Sequence, residues 1–314
     1  GFFDGLAAGT YPASILNGEG CETLSTIVIP EPDSLQANIA LVQEVSCFGG
    51  ADGAAIATSA GGTGMSAFVW SDGQTGPVAT GLSAGAYSVT ATDQNGCTAV
   101  ATTQINTYPP LQAVLSSTAA TCHGQATGAL SVVPSGGTGA GYAYQWNDPD
   151  AQTAPVANNL AAGSYQVTIS DANGCSLVQT GTVAQPDPLL LILTGVNPAC
   201  NAGVNGAVSA TAQGGVGGYA FVWDNNQSGP TITGLGAGIY AATLSDANGC
   251  TTTQSYTLLE PDSLSVSASG VDIACHAQSS GSISLNATGG SGGYQVQWSG
   301  PNGYAASGAQ IAGL

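Results

Sequence analysis

The sequence predicts an all-β chain built as a tandem array of small sandwiches, on three observations. The first is a period. The element Leu82-Ser-Ala-Gly-Ala-Tyr87 recurs as Leu6-Ala-Ala-Gly-Thr-Tyr11, Leu160-Ala-Ala-Gly-Ser-Tyr165 and Leu235-Gly-Ala-Gly-Ile-Tyr240, and its leucine returns at Leu314, in steps of 76, 78, 75 and 79 residues. A fixed period of this kind marks a repeat array. The second is period-2 alternation of apolar residues between Gly-Gly and Asn-Gly turns, with no helical pattern or cap. The third is a short aromatic segment ending in Trp once per period, at Trp70, Trp146, Trp223 and Trp298.

The period divides the chain into a partial repeat at 1–31, complete repeats at 32–108, 109–186 and 187–261, and a second partial repeat at 262–314. The ends fall in permuted phase, so a longer parent polymer is expected.

Composition narrows the partners. There is no Lys and no Arg against 18 Asp plus Glu, where ordinary usage puts roughly three dozen basic residues in a chain of this length. Nothing in the chain neutralises phosphates, so nucleic acid and anionic membrane surfaces are both poor partners and no nucleic acid is expected. Lys-based salt bridges and isopeptide links are excluded too. No apolar run approaches the roughly 18 to 20 residues of a membrane span, so no direct insertion is expected.

Within the repeat at 32–108, Leu35, Ala37, Ile39 and Leu41 alternate as a half-buried strand. A turn follows at Cys47-Phe-Gly-Gly-Ala-Asp-Gly53, then a strand at Ala54–Thr58 that stops at Gly61-Gly62, where glycines reach positive φ without strain. The aromatic strand carries Phe68 and Trp70. Its siblings add a tyrosine, Tyr142 or Tyr219, where this repeat has Ser66. Asp72-Gly73 reverses the chain, and Leu82-x-Ala-Gly-x-Tyr87 resembles the tyrosine corner that links two sheets. Asp93-Gln-Asn-Gly96 makes the last hairpin before Ala99–Ile105. About seven short strands in roughly 76 residues point to immunoglobulin-like or fibronectin III-like sandwiches. Trp70, Trp146, Trp223, Trp298, Tyr87, Tyr165 and Tyr240 are the expected core anchors, because a Trp on a central strand is more often core than ligand platform. The junctions Pro30-Glu-Pro-Asp-Ser-Leu35, Tyr108-Pro-Pro-Leu111, Gln185-Pro-Asp-Pro-Leu189 and Glu260-Pro-Asp-Ser-Leu264 are short and proline-stiffened, which predicts a semi-rigid rod.

Gly-Gly-x-Gly, the aromatic strand ending in Trp, Leu-x-Ala-Gly-x-Tyr and Asp-x-Asn-Gly-Cys, in that order, resemble SprB-type repeats over the whole chain. The resemblance implies a very large cell-surface protein of Bacteroidota, adhesin-like or gliding-associated and exported by the type IX system. Asp33-Ser34-Leu35 and Asp262-Ser263-Leu264 match the acceptor pattern associated with O-glycosylation of exported proteins in that group, which makes Ser34 and Ser263 candidate acceptors.

The eight cysteines fall in phase at 21, 47, 97, 122, 175, 200, 250 and 275, one at the first hairpin and one at the start of the last strand of each repeat. In an exported chain such a set reads as disulfides. The leading expectation pairs them within a repeat, Cys47 with Cys97, Cys122 with Cys175 and Cys200 with Cys250, closing loops worth about 4 kcal/mol each. Two rivals stand beside it: pairing across junctions (Cys21 with Cys47, Cys97 with Cys122), and a longer staple from Cys47 to Cys175. The latter is favoured by the opposite poles that these positions occupy in a regular sandwich. Asp52, Asp93, Asp171 and Asp246 are candidate Ca²⁺ ligands, although Asx turns account for them without metal. Cys122-His123 and Cys275-His276 read as variable turns, since Phe48 and Asn201 occupy the equivalent positions.

No constellation for catalysis is present, and no cofactor is expected. The function expected is a non-enzymatic extracellular array, the shaft of a surface adhesin or filament. Its alternatives are a self-assembling fibre and a multivalent binder of surface glycans.

Overall fold

The computed structural model describes residues 4–314; the first three residues of the partial repeat at 1–31 lie outside the described residues. A hairpin comes first, β1 (Gly9–Leu16) and β2 (Glu22–Ile29). Three sets of six strands follow. The first is β3 (Gln36–Gln43), β4 (Gly53–Ala60), β5 (Ala67–Trp70), β6 (Val78–Leu82), β7 (Gly85–Thr92) and β8 (Thr98–Ile105). The second is β9 (Gln112–Thr118), β10 (Gly128–Ser135), β11 (Ala143–Trp146), β12 (Val156–Leu160), β13 (Gly163–Ser170) and β14 (Ser176–Val183). The third is β15 (Leu190–Val196), β16 (Gly206–Gln213), β17 (Ala220–Trp223), β18 (Thr231–Leu235), β19 (Gly238–Ser245) and β20 (Thr251–Leu258). A last set holds β21 (Ser265–Val271), β22 (Ser282–Thr288), β23 (Gln297–Ser299), β24 (Ala305–Ser307) and β25 (Gln310–Ala312), with a 3-10 turn at Pro301–Gly303.

Each complete set forms two three-stranded sheets. In the first set the orders are β3-β4-β6 and β5-β7-β8, in the third β15-β16-β18 and β17-β19-β20, and the second set repeats the pattern as β9-β10-β12 and β11-β13-β14. Strands one, two and four against strands three, five and six is the immunoglobulin-like division of an antiparallel sandwich. There are six strands per set, not about seven. Between Trp70 and Leu82 the chain spends its residues on a turn, with Gly73 N–H donating to Trp70 O, and on an isolated bridge from Thr75 to Val69, so one strand forms there.

By contacts the chain divides into two compact units. One comprises Gly1–Ser116, Ser131–Ala157 and Tyr165–Gly181; the other comprises Ser117–Leu130, Asn158–Ser164 and Thr182–Leu314.

In the first unit Val45, Ala55, Ala57, Trp70, Ala79, Leu82, Val89 and Ile105 form one core, with Ile39, Phe68 and Tyr87 packed against it. In the second unit the corresponding core is Leu191, Val208, Ala210, Trp223, Ile232, Leu235, Ala242, Leu244 and Leu258. The alternation read from the sequence supplies these inward positions, every second residue of each strand. Trp70, Trp146 and Trp223 are fully buried. Each indole also finds a partner: Nε1–H donates to Gly76 O at 3.0 Å, to Ala154 O at 2.8 Å and to Gly229 O at 3.0 Å, respectively. Tyr87, Tyr165 and Tyr240 are half-buried and not core-enclosed as expected. The reason is the corner geometry, in which the hydroxyl turns back toward its own loop, as Tyr240 Oη–H does to Gly236 O at 3.1 Å and Tyr11 Oη–H to Ala7 O at 2.8 Å.

Candidate functional site: a staple between strand sets

The cysteines do not pair within a set. Cys47 bonds Cys175 with a Cα–Cα distance of 5.6 Å, and Cys122 bonds Cys250 at 5.7 Å, each pair 128 residues apart. Both staples lie inside a single compact unit, Cys47–Cys175 in the first and Cys122–Cys250 in the second. Cys47–Cys97, Cys122–Cys175 and Cys200–Cys250 are therefore corrected, and so is the cross-junction alternative; Cys21, Cys97, Cys200 and Cys275 are free and exposed.

The physical reason is strand length. Cys97 precedes β8, whereas the β3–β4 loop that bears Cys47 is bound at the far end of β8, where Val45 N–H donates to Asn106 O at 3.0 Å and Thr107 Oγ1 to Cys47 O at 3.3 Å. Eight residues of strand separate the two positions by roughly 25 Å, against the 4.4–6.8 Å or so that a disulfide spans.

The Asp-x-Asn-Gly-Cys turn prepares the bond. Asp171 Oδ1 accepts from Asn173 N–H at 3.0 Å and Cys175 N–H at 2.9 Å, which fixes the cysteine's backbone. Asn173 then reaches out of its own strand set, its Nδ2 donating to Ser46 O at 3.1 Å, next to Cys47. The second staple repeats this: Asp246 Oδ1 accepts from Asn248 N–H at 3.0 Å and Cys250 N–H at 2.9 Å, and Asn248 Nδ2 donates to Thr121 O at 2.9 Å. Sequence reasoning took these asparagines as turn formers only. The signal that identifies them is their fixed place two residues before each cysteine.

The other carboxylate oxygen closes the same end of the sandwich. Asp93 Oδ2 accepts from Thr63 N–H at 2.8 Å, Asp171 Oδ2 from Thr138 N–H at 3.1 Å and Asp246 Oδ2 from Val216 N–H at 2.9 Å. The Thr63 N–H beside Asp93, and then the Cys97 N–H, hold its carboxyl below the usual range; Val216 N–H does the same for Asp246. Asp52 is held down by its bonds from Ser46. These Ca²⁺ candidates each face N–H donors, which occupy the lone pairs a cation needs. Among the described residues no group of three or more His, Cys, Asp or Glu is placed to hold a metal.

The Gly-Gly pairs receive the junctions. Gly62 N–H donates to Asp33 O at 2.8 Å, Gly137 N–H to Pro109 O at 2.9 Å, Gly215 N–H to Asp187 O at 3.0 Å and Gly290 N–H to Asp262 O at 2.7 Å. A Cβ on Gly61, Gly136, Gly214 or Gly289 would fall on the carbonyl of Ser34, Pro110, Pro188 or Ser263, so only glycine admits the linker. Tyr142, Tyr219 and Tyr294 cap the same turn through hydroxyl bonds to Gly136 O, Gly214 O and Gly289 O. Ser66, in their place, accepts from Ser59 Oγ instead. At the other end the turn residues once read as variable hold the following junction: His123 Nδ1 lies 3.1 Å from Pro186 O, and Asn201 Nδ2 donates to Pro261 O at 3.1 Å. Gln185 Oε1 accepts from Gly124 N–H at 2.7 Å and Glu260 Oε2 from Ala202 N–H at 2.7 Å. Ser34 is exposed, its hydroxyl accepting from Gln36 Nε2 at 2.8 Å, and Ser263 is exposed as well. Trp298 is half-buried and donates Nε1–H to Gly308 O at 2.8 Å.

Tandem two-sheet β-domains define a structural repeat protein, and its repeats support an extracellular, adhesin-like one. The particular family is that of the SprB repeat, whose model matches residues 40–75, 115–151, 193–228 and 265–303, and the chain is a SprB-type repeat protein. SprB repeats are cell-surface modules, repeat families of this kind are typically non-catalytic, and no helix among the described residues is long and apolar enough to cross a membrane. No curated protein matches the chain. Among solved structures it is similar to the eight N-terminal Ig domains of Down Syndrome Cell Adhesion Molecule isoform 1.30.30, at 11% identity and a TM-score of 0.30, over 90% of this chain and 55% of that one. It is also similar to Sidekick-1 immunoglobulin domains 1–5, at 13% identity and a TM-score of 0.31, over 80% of this chain and 66% of that one. The chain thus spans about half the length of the first and about two thirds of the second.

Proposed function

We propose that this chain is the shaft of a bacterial surface adhesin or filament, a covalently stapled spacer that carries load and reach. One observation supports the reading above the rest: each staple ties the first loop of one strand set to the last turn of the next, with an asparagine clamp beside it. Ties of this kind limit how far a chain under tension can extend, which is what a shaft gains from them. The complete sets also bury their tryptophans with the indole N–H satisfied, which removes the obvious aromatic platform for sugars. Single-molecule pulling tests the reading. The oxidised chain is expected to extend in steps far shorter than the reduced chain, and equal contour lengths in the two states would overturn it. Glycans on Ser34 and Ser263 belong to the same reading, since both hydroxyls are exposed at the proline junctions; intact mass of material from the native host, showing both serines unmodified, would remove them.

A further inference from the structure

Asn-Gly is the dipeptide in which asparagine most readily loses its amide, because glycine places no Cβ beside its own nitrogen when that nitrogen attacks the preceding side chain. The complete strand sets place Asn-Gly just before the cysteine of each last turn, at Asn95, Asn173 and Asn248. All three asparagines are exposed.

The reaction is an internal exchange of bonds. The glycine nitrogen attacks the asparagine Cγ, a Cγ–N bond forms and the Cγ–Nδ2 bond breaks. The glycine nitrogen's proton leaves with Nδ2 as ammonia, so nothing is oxidised or reduced. Water then opens the succinimide at either carbonyl, which leaves aspartate or isoaspartate. The step needs a free nucleophile and a side chain that is free to turn.

The structure withholds both. The first hold is local and common to the three turns: the attacking N–H is engaged by the aspartate carbonyl, Gly96 donating to Asp93 O at 3.1 Å, Gly174 to Asp171 O at 3.0 Å and Gly249 to Asp246 O at 3.0 Å. The second hold comes from the neighbouring strand set. The leaving nitrogen Nδ2 is bound to Ser46 O in Asn173 and to Thr121 O in Asn248. Ser46 adjoins Cys47 and Thr121 adjoins Cys122, so the bond that holds each amide lies beside the disulfide that joins the sets. One exposed hydrogen bond is weak by itself. The disulfide supplies the proximity that keeps it made.

We propose that Asn173 and Asn248 are deamidation sites gated by the staples. Each keeps its amide while Cys47–Cys175 or Cys122–Cys250 is closed. Each is converted after a dithiol reductant opens that staple, giving it two electrons and two protons and leaving as a cyclic disulfide. The conversion is one-way. Its product presents a carboxylate where Ser46 O or Thr121 O met a donor, and isoaspartate adds a methylene to the main chain between Asp171 and Cys175, or between Asp246 and Cys250. Those are the spans that Asp171 Oδ1 and Asp246 Oδ1 close by accepting from the cysteine N–H. A staple left open thus loses the turn that would close it again. The inference rests on the staples and not on the shaft reading.

The test holds the oxidised 314-residue chain in mildly alkaline buffer and follows deamidation by chymotryptic peptide mapping, with isoaspartate methyltransferase labelling as a second readout. Asn95 is the internal reference: it shares the turn, its N–H donating to Asp93 Oδ1 at 2.9 Å, and its cysteine is free in this chain. Asn173 and Asn248 are expected to react about fivefold more slowly than Asn95, the equilibrium worth of one hydrogen bond. Cys47→Ser with Cys175→Ser is expected to bring Asn173 to the rate of Asn95 and to leave Asn248 slow. Cys122→Ser with Cys250→Ser is expected to do the reverse. Rates that ignore the site's own staple, or an Asn95 rate that rises together with that of Asn173, would overturn the proposal. A second measurement uses Asn173→Asp, which carries one product at one site. In a glutathione redox buffer it is expected to need a ratio of disulfide to thiol about fivefold higher than the wild-type chain to half-close Cys47–Cys175, with Cys122–Cys250 unchanged. Closure at the wild-type ratio would also overturn the proposal.

Discussion

Asn173 donates its side-chain amide to the carbonyl of Ser46, 127 residues earlier, and Asn248 does the same to Thr121 across the same separation. Asn173→Ala and Asn248→Ala are each expected to destabilise their unit by about 1 kcal/mol, the net worth of one such bond. Asn95→Ala, at the same motif position beside a free cysteine, is the control and is expected to leave the monomer unchanged. Urea unfolding of the three variants checks both statements.

Removing a staple is a larger change. Closing a loop of 128 residues stabilises by about 5 kcal/mol in the chain-entropy picture, so Cys47→Ser with Cys175→Ser is expected to lower the unfolding midpoint more than any single hydrogen-bond deletion. Mapping of the wild-type chain without reductant is expected to recover Cys47–Cys175 and Cys122–Cys250.

Gly61→Ala and Gly214→Ala are expected to cost about 1–3 kcal/mol, because the new methyl meets a linker carbonyl at positive φ. Gly73→Ala has a positive φ but open space around it, and is expected to cost about 1 kcal/mol or less. Equal losses at Gly73 and Gly61 would show that the linker is not seated on the glycine pair.

Acid acts on the same turns. Asp93 and Asp246 have carboxyls lowered below the ordinary value of 3.8, so their turns contribute stability that is complete above that pH and is lost as the pH falls through the lower folded values. Stability is therefore expected to be flat from neutral pH to about 4 and to decline below it. Asp93→Asn is expected to flatten that decline in the first unit.

What the sequence discloses here is what local chemistry decides. The Gly-Gly turns, the Asp-x-Asn-Gly hairpin and the inward alternation are each specified within about ten residues, and they are where the sequence places them. The strand count failed between Trp70 and Leu82, where a bridge at Thr75 takes the place of a strand. The leading disulfide pairing, within a set, failed for a different reason: pairing depends on which pole a loop occupies, and the binding of the Cys47 loop to the far end of β8 decides for the rival staple from Cys47 to Cys175 that the opposite poles favoured. The asparagine clamps were hidden because an Asx turn already accounts for an Asn before Gly, so nothing in the string called for a second partner.

The two staples overlap, since Cys122 lies inside the loop closed by Cys47 and Cys175, and Cys175 lies inside the loop closed by Cys122 and Cys250. From Cys47 to Cys250 there are consequently two covalent routes, one through Cys175 and one through Cys122, and each uses 75 residues of backbone. A single protease cut between Cys47 and Cys122, or between Cys175 and Cys250, severs one route and leaves the other whole, and a cut between Cys122 and Cys175 severs neither. The stretch behaves as a two-ply cord: it survives the first break, shares tension between its plies, and limits how far the chain lengthens even when every sheet in it has come apart.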